Sequence, residues 1–187
     1  PGLRAKLALA QGRAQDAVDA LNVARARAPN MPELAVALAQ ARLLAGDLET
    51  GLAELTALAD THAAVQPVLA DALLAAARWP EAAAALERVL AQDAGNTAAL
   101  NNLAWAYQQA GDARAKATAR RLLKAAPDDV ASLDTAGWVL VQAGEAREGV
   151  GILRNALTRA PKDATIRYHL AAGLARLGEE AEALTLL

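Results

Sequence analysis

The chain has 187 residues, 55% of them apolar but only 3% aromatic, with no phenylalanine and no cysteine. Lack of cysteine excludes disulfides and thiolate chemistry. A net charge of -2, from 19 basic and 21 acidic side chains, excludes a broad attraction for nucleic acid or anionic lipid. Most of the apolar residues are alanine and leucine, strong helix formers with few β-branched companions, so an all-α chain is expected. No apolar run is long and uncharged enough to cross a membrane, so any membrane association would come through parts outside this sequence.

In chain order, hydrophobic periodicity predicts helices over 2–11, 14–28, 31–45, 48–60, 64–77, 80–92, 97–110, 113–125, 129–143, 146–159, 163–177 and 179–187. Gly12, Gly46, Gly111, Gly144 and Gly178 each follow an apolar helical run, and Ala77 takes that place in the third unit. The intervals are 34, 31, 34, 33 and 34 residues, the period of a helix-hairpin solenoid. Five residues past the marker stands a small residue (Ala17, Gly51, Ala82, Gly149, Ala183), with Ala115 one residue earlier in the fourth unit. Its size lets two helices approach closely. Nine past the marker comes a core-facing leucine: Leu21, Leu55, Leu86, Leu153, Leu187. Ala28-Pro29, Ala126-Pro127 and Ala160-Pro161 stop the second helices, and Gly95 does so in the third unit. Asp47, Asp112 and Glu145 are placed to start second helices, and Asn96 and Asp128 or Asp129 to cap first ones. The resulting units are 1–28, 29–60, 61–93, 94–126, 127–160 and 161–187, one solenoid whose first and last hairpins look clipped from a longer protein. The turn near Leu58–Val65 lacks a proline and is compressed.

The phrases Leu103-Ala104, Tyr107, Gly111 and Ala126-Pro127, then Leu133, Gly137, Leu140, Gly144, Ala156 and Pro161, then Leu170-Ala171, Leu174, Gly178 and Ala183, resemble the tetratricopeptide repeat in register. The resemblance implies a right-handed superhelical solenoid of antiparallel helix hairpins, whose first helices line a concave groove. More narrowly, Leu100-Asn-Asn-Leu-Ala-Trp105, Leu133-Asp-Thr-Ala-Gly-Trp138 and Ile166-Arg-Tyr-His-Leu-Ala171 look like repeats of bacterial exopolysaccharide and PEP-CTERM/exosortase systems. That likeness favours the periplasm or outer-membrane periphery, with the cytoplasm as alternative.

Carried onto this sequence, the groove positions are Asn101, Trp105, Gln108 and Gln109; Asp134, Trp138, Val141 and Gln142; and Thr165, Tyr168, Ala172 and Arg176. Earlier units offer Val36, Gln40 and Leu43, then Pro67, Asp71 and Leu74, a more apolar surface without aromatics. Trp105 and Trp138 stand one repeat apart, and two roles are open to them: hot spots for a peptide, or packing between first helices. Trp79 is expected to staple a hairpin turn, His169 to pack, and His62 to be exposed. The Lys and Asn set with which some family members hold a terminal carboxylate is not matched, since Asn101 and Asp134 stand there. Arg114, Lys116, Arg120, Arg121 and Lys124 form a basic cluster, either a solvated outer face or a site for an acidic partner.

Two distant histidines without cysteine offer no zinc site, and the glycines are single hairpin markers rather than a phosphate loop. The expectation is therefore a non-catalytic scaffold for a protein or peptide partner, without cofactor or metal. The alternative is a structural spacer or oligomerisation module, and a homo-oligomer fits either.

Overall fold

The computed structural model describes residues 2–186, and every regular element among them is helical. The leucine expected at Leu187 lies outside the described residues. The chain divides into two compact units, Pro1–Arg78 and Trp79–Leu187. The first holds α1 (Gly2–Ala10), α2 (Ala14–Arg27), α3 (Pro32–Leu44), α4 (Leu48–Thr61) and α5 (Gln66–Ala75). The second holds α6 (Trp79–Gln92), α7 (Thr97–Gln109), α8 (Arg114–Ala125), α9 (Val130–Gln142), α10 (Ala146–Arg159), α11 (Ala164–Arg176) and α12 (Glu180–Leu186).

Each hairpin turn has one geometry, built by the marker residue. Gly12, Gly46, Gly111, Gly144 and Gly178 have φ between 68° and 88°. Ala77 has φ 54°, the single positive-φ residue other than glycine among those described. This left-handed residue lets the next amide reach back to a carbonyl five residues earlier. Arg13 N donates to Ala8 O at 2.8 Å, Arg78 N to Leu73 O at 2.9 Å and Glu145 N to Leu140 O at 2.9 Å.

That reach-back bond corrects one expectation. Asp47 and Glu145 stand at the N-caps of α4 and α10, yet neither side chain makes a capping hydrogen bond. Their ψ values of 69° and 47° fall short of the extended backbone that aims a cap oxygen at the first turn. Asp112, one residue further out, does bond the start of α8, accepting from Arg114 N at 2.8 Å. The first helices α7, α9 and α11 enter from extended backbone and are capped: Asn96 accepts from Ala99 N, Asp129 from Ser132 N, and Asp163 from Thr165 N and Ile166 N. The compressed turn of the third unit is a short 3-10 segment, Ala63–Val65, ahead of α5. There the Gln66 amide is buried and donates to Ala59 O. Trp79 begins α6 rather than preceding it, and is half-buried.

In the first unit, consecutive helices pack around Ala5, Ala8, Leu21, Leu38 and Ala41. In the second, α7, α9 and α11 lie side by side, each closed by its own second helix. Leu100, Leu122, Leu140, Leu153 and Leu174 are fully buried between them. The small residues serve the expected close approach. A Cβ at Gly149 would lie 2.5 Å from the Gly137 carbonyl oxygen and 2.9 Å from Val141 N, so α9 and α10 touch backbone to backbone there.

Candidate binding site

Because α7, α9 and α11 stack side by side, residues at matching repeat positions form rows. Ten residues before the marker come Asn101, Asp134 and Tyr168; six before it come Trp105, Trp138 and Ala172. Asn101, Trp105, Gln108, Asp134, Trp138 and Gln142 are half-buried, whereas Gln109, Thr165, Tyr168 and Arg176 are exposed. Val141 belongs to the core instead. It is fully buried because it receives Gly173 of α11, where a Cβ would lie 3.2 Å from its Cγ2.

Several row residues are already engaged with one another. Asp134 Oδ1 lies 2.8 Å from His169 Nδ1. Trp138 stacks on the His169 ring, centroids 4.4 Å apart and planes inclined by 16°, and Tyr168 stands 6.3 Å from Trp138. His169 is thus a packing residue, and His62 is exposed, bonded to Thr61 Oγ1. Arg176 spans from α11 to the end of α9, donating to Val141 O at 2.8 Å and Gln142 Oε1 at 2.7 Å. It satisfies a helix-end carbonyl and adds positive charge at the negative end of α9.

The fourth unit differs. Among the described residues no ring stacks on Trp105, and Asn101 Oδ1 is buried without a hydrogen-bond partner. A buried acceptor left open costs roughly 1–3 kcal/mol. The alignment of Asn101 with Asp134 and Tyr168 was legible in the repeat, but its unsatisfied oxygen was not.

The basic cluster on α8 is not an open patch. Arg120 meets Glu148 at 2.5 Å, Lys116 pairs with Glu145, and Arg121 donates to Ala94 O at 2.7 Å. Arg114 bonds Glu87 at 2.6 Å and Asp112 at 2.7 Å while lying 4.4 Å over the Tyr107 ring. The Tyr107 hydroxyl donates to Glu87. Burial, followed by the Glu87 carboxylate, raises the Tyr107 pKa well above the usual phenol range. Arg114 holds Asp112, and Arg120 holds Glu148, below the ordinary carboxylate range through direct hydrogen bonds. Arg154 continues the series from α10 to Glu179 and Glu182.

Among the described residues no group of three or more His, Cys, Asp or Glu side chains converges on a position for a metal ion, and no helix is long and apolar enough to cross a membrane. Ser132, the sole serine, donates its hydroxyl to Asp129 Oδ2 and is not joined to the His169–Asp134 pair.

Two tetratricopeptide repeat models match the sequence, over residues 73–136 and 135–187, together more than half of the chain. The chain belongs to the tetratricopeptide repeat family. No curated protein matches it. Solved structures agree on the fold. A tetratricopeptide repeat protein from Parabacteroides merdae superposes with a TM-score of 0.84 at 16% identity, covering 99% of this chain and 75% of that one. MamA gives 0.70 at 19% identity, over 84% and 95% of the two chains. YrrB, described as a tetratricopeptide repeat protein with an unusual peptide-binding site, gives 0.66 at 16% identity, over 90% and 89%. At these identities the likeness concerns the fold alone. Scaffolding of protein partners is what tetratricopeptide repeats generally do, and catalysis is generally not.

Proposed function

We propose that this chain is a non-catalytic scaffold that grips an extended peptide, or an extended segment of a protein, along the α7–α9–α11 surface. The observation that carries the reading is the fourth-unit pair. Trp105 offers a half-exposed ring without a stacking partner, and one turn earlier Asn101 holds a buried acceptor open. A ring for apolar contact beside an unfilled acceptor suits a peptide, whose backbone N–H is the complementary donor. Gln108 and Gln109 extend the polar edge, and Asp134, Trp138, Gln142, Tyr168 and Arg176 continue the same surface as a pre-formed wall. The peptide-binding description of YrrB supports the class of ligand. The setting in a bacterial exopolysaccharide or secretion system rests on the likeness of the three helix phrases alone.

The test is a pull-down from the native host with wild type, Trp105→Ala and Asn101→Ala. Partners retained by wild type and lost by both variants, at unchanged helical signal and melting temperature, support the groove. Equal recovery by all three proteins would overturn it and leave the spacer reading standing.

A further inference from the structure

The junction between the α7–α8 hairpin and α9 departs from the repeat pattern at two positions. Three residues before the marker the other units carry Leu9, Leu43, Leu74, Val141 and Ala175, whereas the fourth unit carries Gln108. Just inside the second helix the others carry Val18, Leu52, Ala83, Val150 and Leu184, whereas the fourth carries Lys116. These two positions receive the next first helix. Gly173 of α11 seats on Val141 and Val150, where a Cβ would lie 3.2 and 2.8 Å from their Cγ2 atoms. Val139 of α9 holds the position of Gly173, so it meets an amide and an ammonium side chain where its counterpart meets two valines. The seam does not close there. A cavity of about 530 Å³ opens instead, lined by Gln108, Lys116, Val139 and Gln142, with Ala113 and Ala115 at the start of α8.

The hydrogen bonds around this cavity leave it rich in donors. Its side-chain acceptors are already engaged. Gln108 Oε1 accepts from Gln109 Nε2 at 2.9 Å, Gln142 Oε1 from Arg176 at 2.7 Å, and Asp112 from Arg114 at 2.7 Å. Arg176 can only donate, so it fixes Gln142 Oε1 as the acceptor and leaves Nε2 as the open group. Among the described residues neither the Gln142 nor the Gln108 amide nitrogen has a partner. Lys116 pairs with Glu145, which uses one of its three N–H donors. The N-terminal end of α8 adds its partial positive charge on the same side.

We infer that this cavity takes a carboxylate of the bound peptide, held by the amide nitrogens of Gln108 and Gln142 and by the Lys116 ammonium. The inference rests on the peptide reading of the α7–α9–α11 surface, to which Gln108 and Gln142 belong. It adds a second helix to that surface, since Lys116 stands on α8. A carboxylate is the ligand that open donors without open acceptors select, and charge-assisted bonds to it are stronger than neutral ones. Glu145 competes for Lys116, so the contact is weak for a free carboxylate and gains from a peptide already anchored at Trp105.

NMR titration of the 187-residue chain tests this with three small probes. N-acetylglutamate α-amide carries a side-chain carboxylate, N-acetylglycine a terminal one, and N-acetylglutamine α-amide none. Saturable shifts of the Gln108 and Gln142 side-chain amides and of the Gly111 backbone amide should appear with either carboxylate and not with the glutamine probe. The tighter of the two carboxylates tells whether the peptide offers an acidic side chain or its C-terminus. Gln108→Leu and Lys116→Val restore the residue types of the other units, so each should keep the melting temperature at or above that of wild type. Each should also weaken carboxylate binding by roughly tenfold. If Lys116→Val loses its helical signal, Lys116→Gln carries the test, with the same loss expected. No saturable response in wild type, an equal response to the glutamine probe, or folded variants that bind as wild type does would each overturn the inference. A native partner lost with Trp105→Ala but kept with both Gln108→Leu and Lys116→Val would overturn the carboxylate pocket alone and leave the peptide site standing.

Discussion

His169 Nδ1 lies 2.8 Å from Asp134 Oδ1, joining residues 35 apart in sequence and tying α11 to α9 beneath the Trp138 ring. Both side chains are largely shielded from water, at 11% and 17% exposure, so the bond is worth more than a surface contact. Asp134→Ala should cost about 1–2 kcal/mol, because it leaves a buried ring nitrogen without its partner. A double-mutant cycle with His169→Ala, read by urea unfolding, should show a coupling of about 0.5–1.5 kcal/mol. Strict additivity would mean that the two residues only share a neighbourhood.

Ala77 is held at φ 54° in a turn where every equivalent residue is glycine. The same turn geometry imposed on a Cβ-bearing residue is strained. Ala77→Gly should raise stability by about 0.5–1 kcal/mol despite its greater unfolded-state entropy, with the melting temperature as the readout. A drop would show that the methyl group contributes packing that outweighs the strain.

Gly149 makes the opposite case. Its missing Cβ would press on the Gly137 oxygen and on Val141 N, both backbone atoms that no side-chain rotation can move. Gly149→Ala should destabilise the second unit by about 1–3 kcal/mol, with α9 and α10 forced apart. Hydrogen exchange should speed up in those two helices before others.

These two sites show how much the sequence carried. A 34-residue recurrence of apolar run, left-handed residue and small residue is a steric code, and it marked Ala77 as a turn residue and Gly149 as a point of close approach, as the structure has them. What it left out are contacts whose partner lies a repeat away. Arg120 and Lys116 read as an unbalanced basic cluster because Glu148 and Glu145 stand 28 and 29 residues later. Helical spacing within one segment cannot pair them. Asp47 and Glu145 read as caps because the residue type was right, while the backbone angle after the glycine was not.

The ion pairs along the second helices give an acid sensitivity with a defined sign. Arg114 lowers the Asp112 pKa and Arg120 lowers that of Glu148 relative to the unfolded chain. Stability from these groups is present above the unfolded carboxylate value, about 4, and is lost as pH falls through the folded one. Melting temperature should therefore decline below about pH 4, and Arg120→Ala together with Arg114→Ala should flatten that decline. The exposed setting keeps the effect small and salt-dependent. An acid limb unchanged in the double variant would assign the loss to other carboxylates.

Trp105 and Trp138 occupy one repeat position but should respond differently to substitution. Trp138 packs on the buried cluster of Val141, Val150, Leu170 and Leu174 and carries the His169 ring. Its replacement by alanine should cost about 2–3 kcal/mol, below the 3–5 typical of fully buried aromatics because its outer edge is already wet. Among the described residues no ring stacks on Trp105, so Trp105→Ala should cost less stability and act mainly on partner capture. Guanidinium unfolding of the two single variants separates these outcomes. Equal destabilisation would make Trp105 a packing residue like its neighbour and remove the main support for a peptide site on α7.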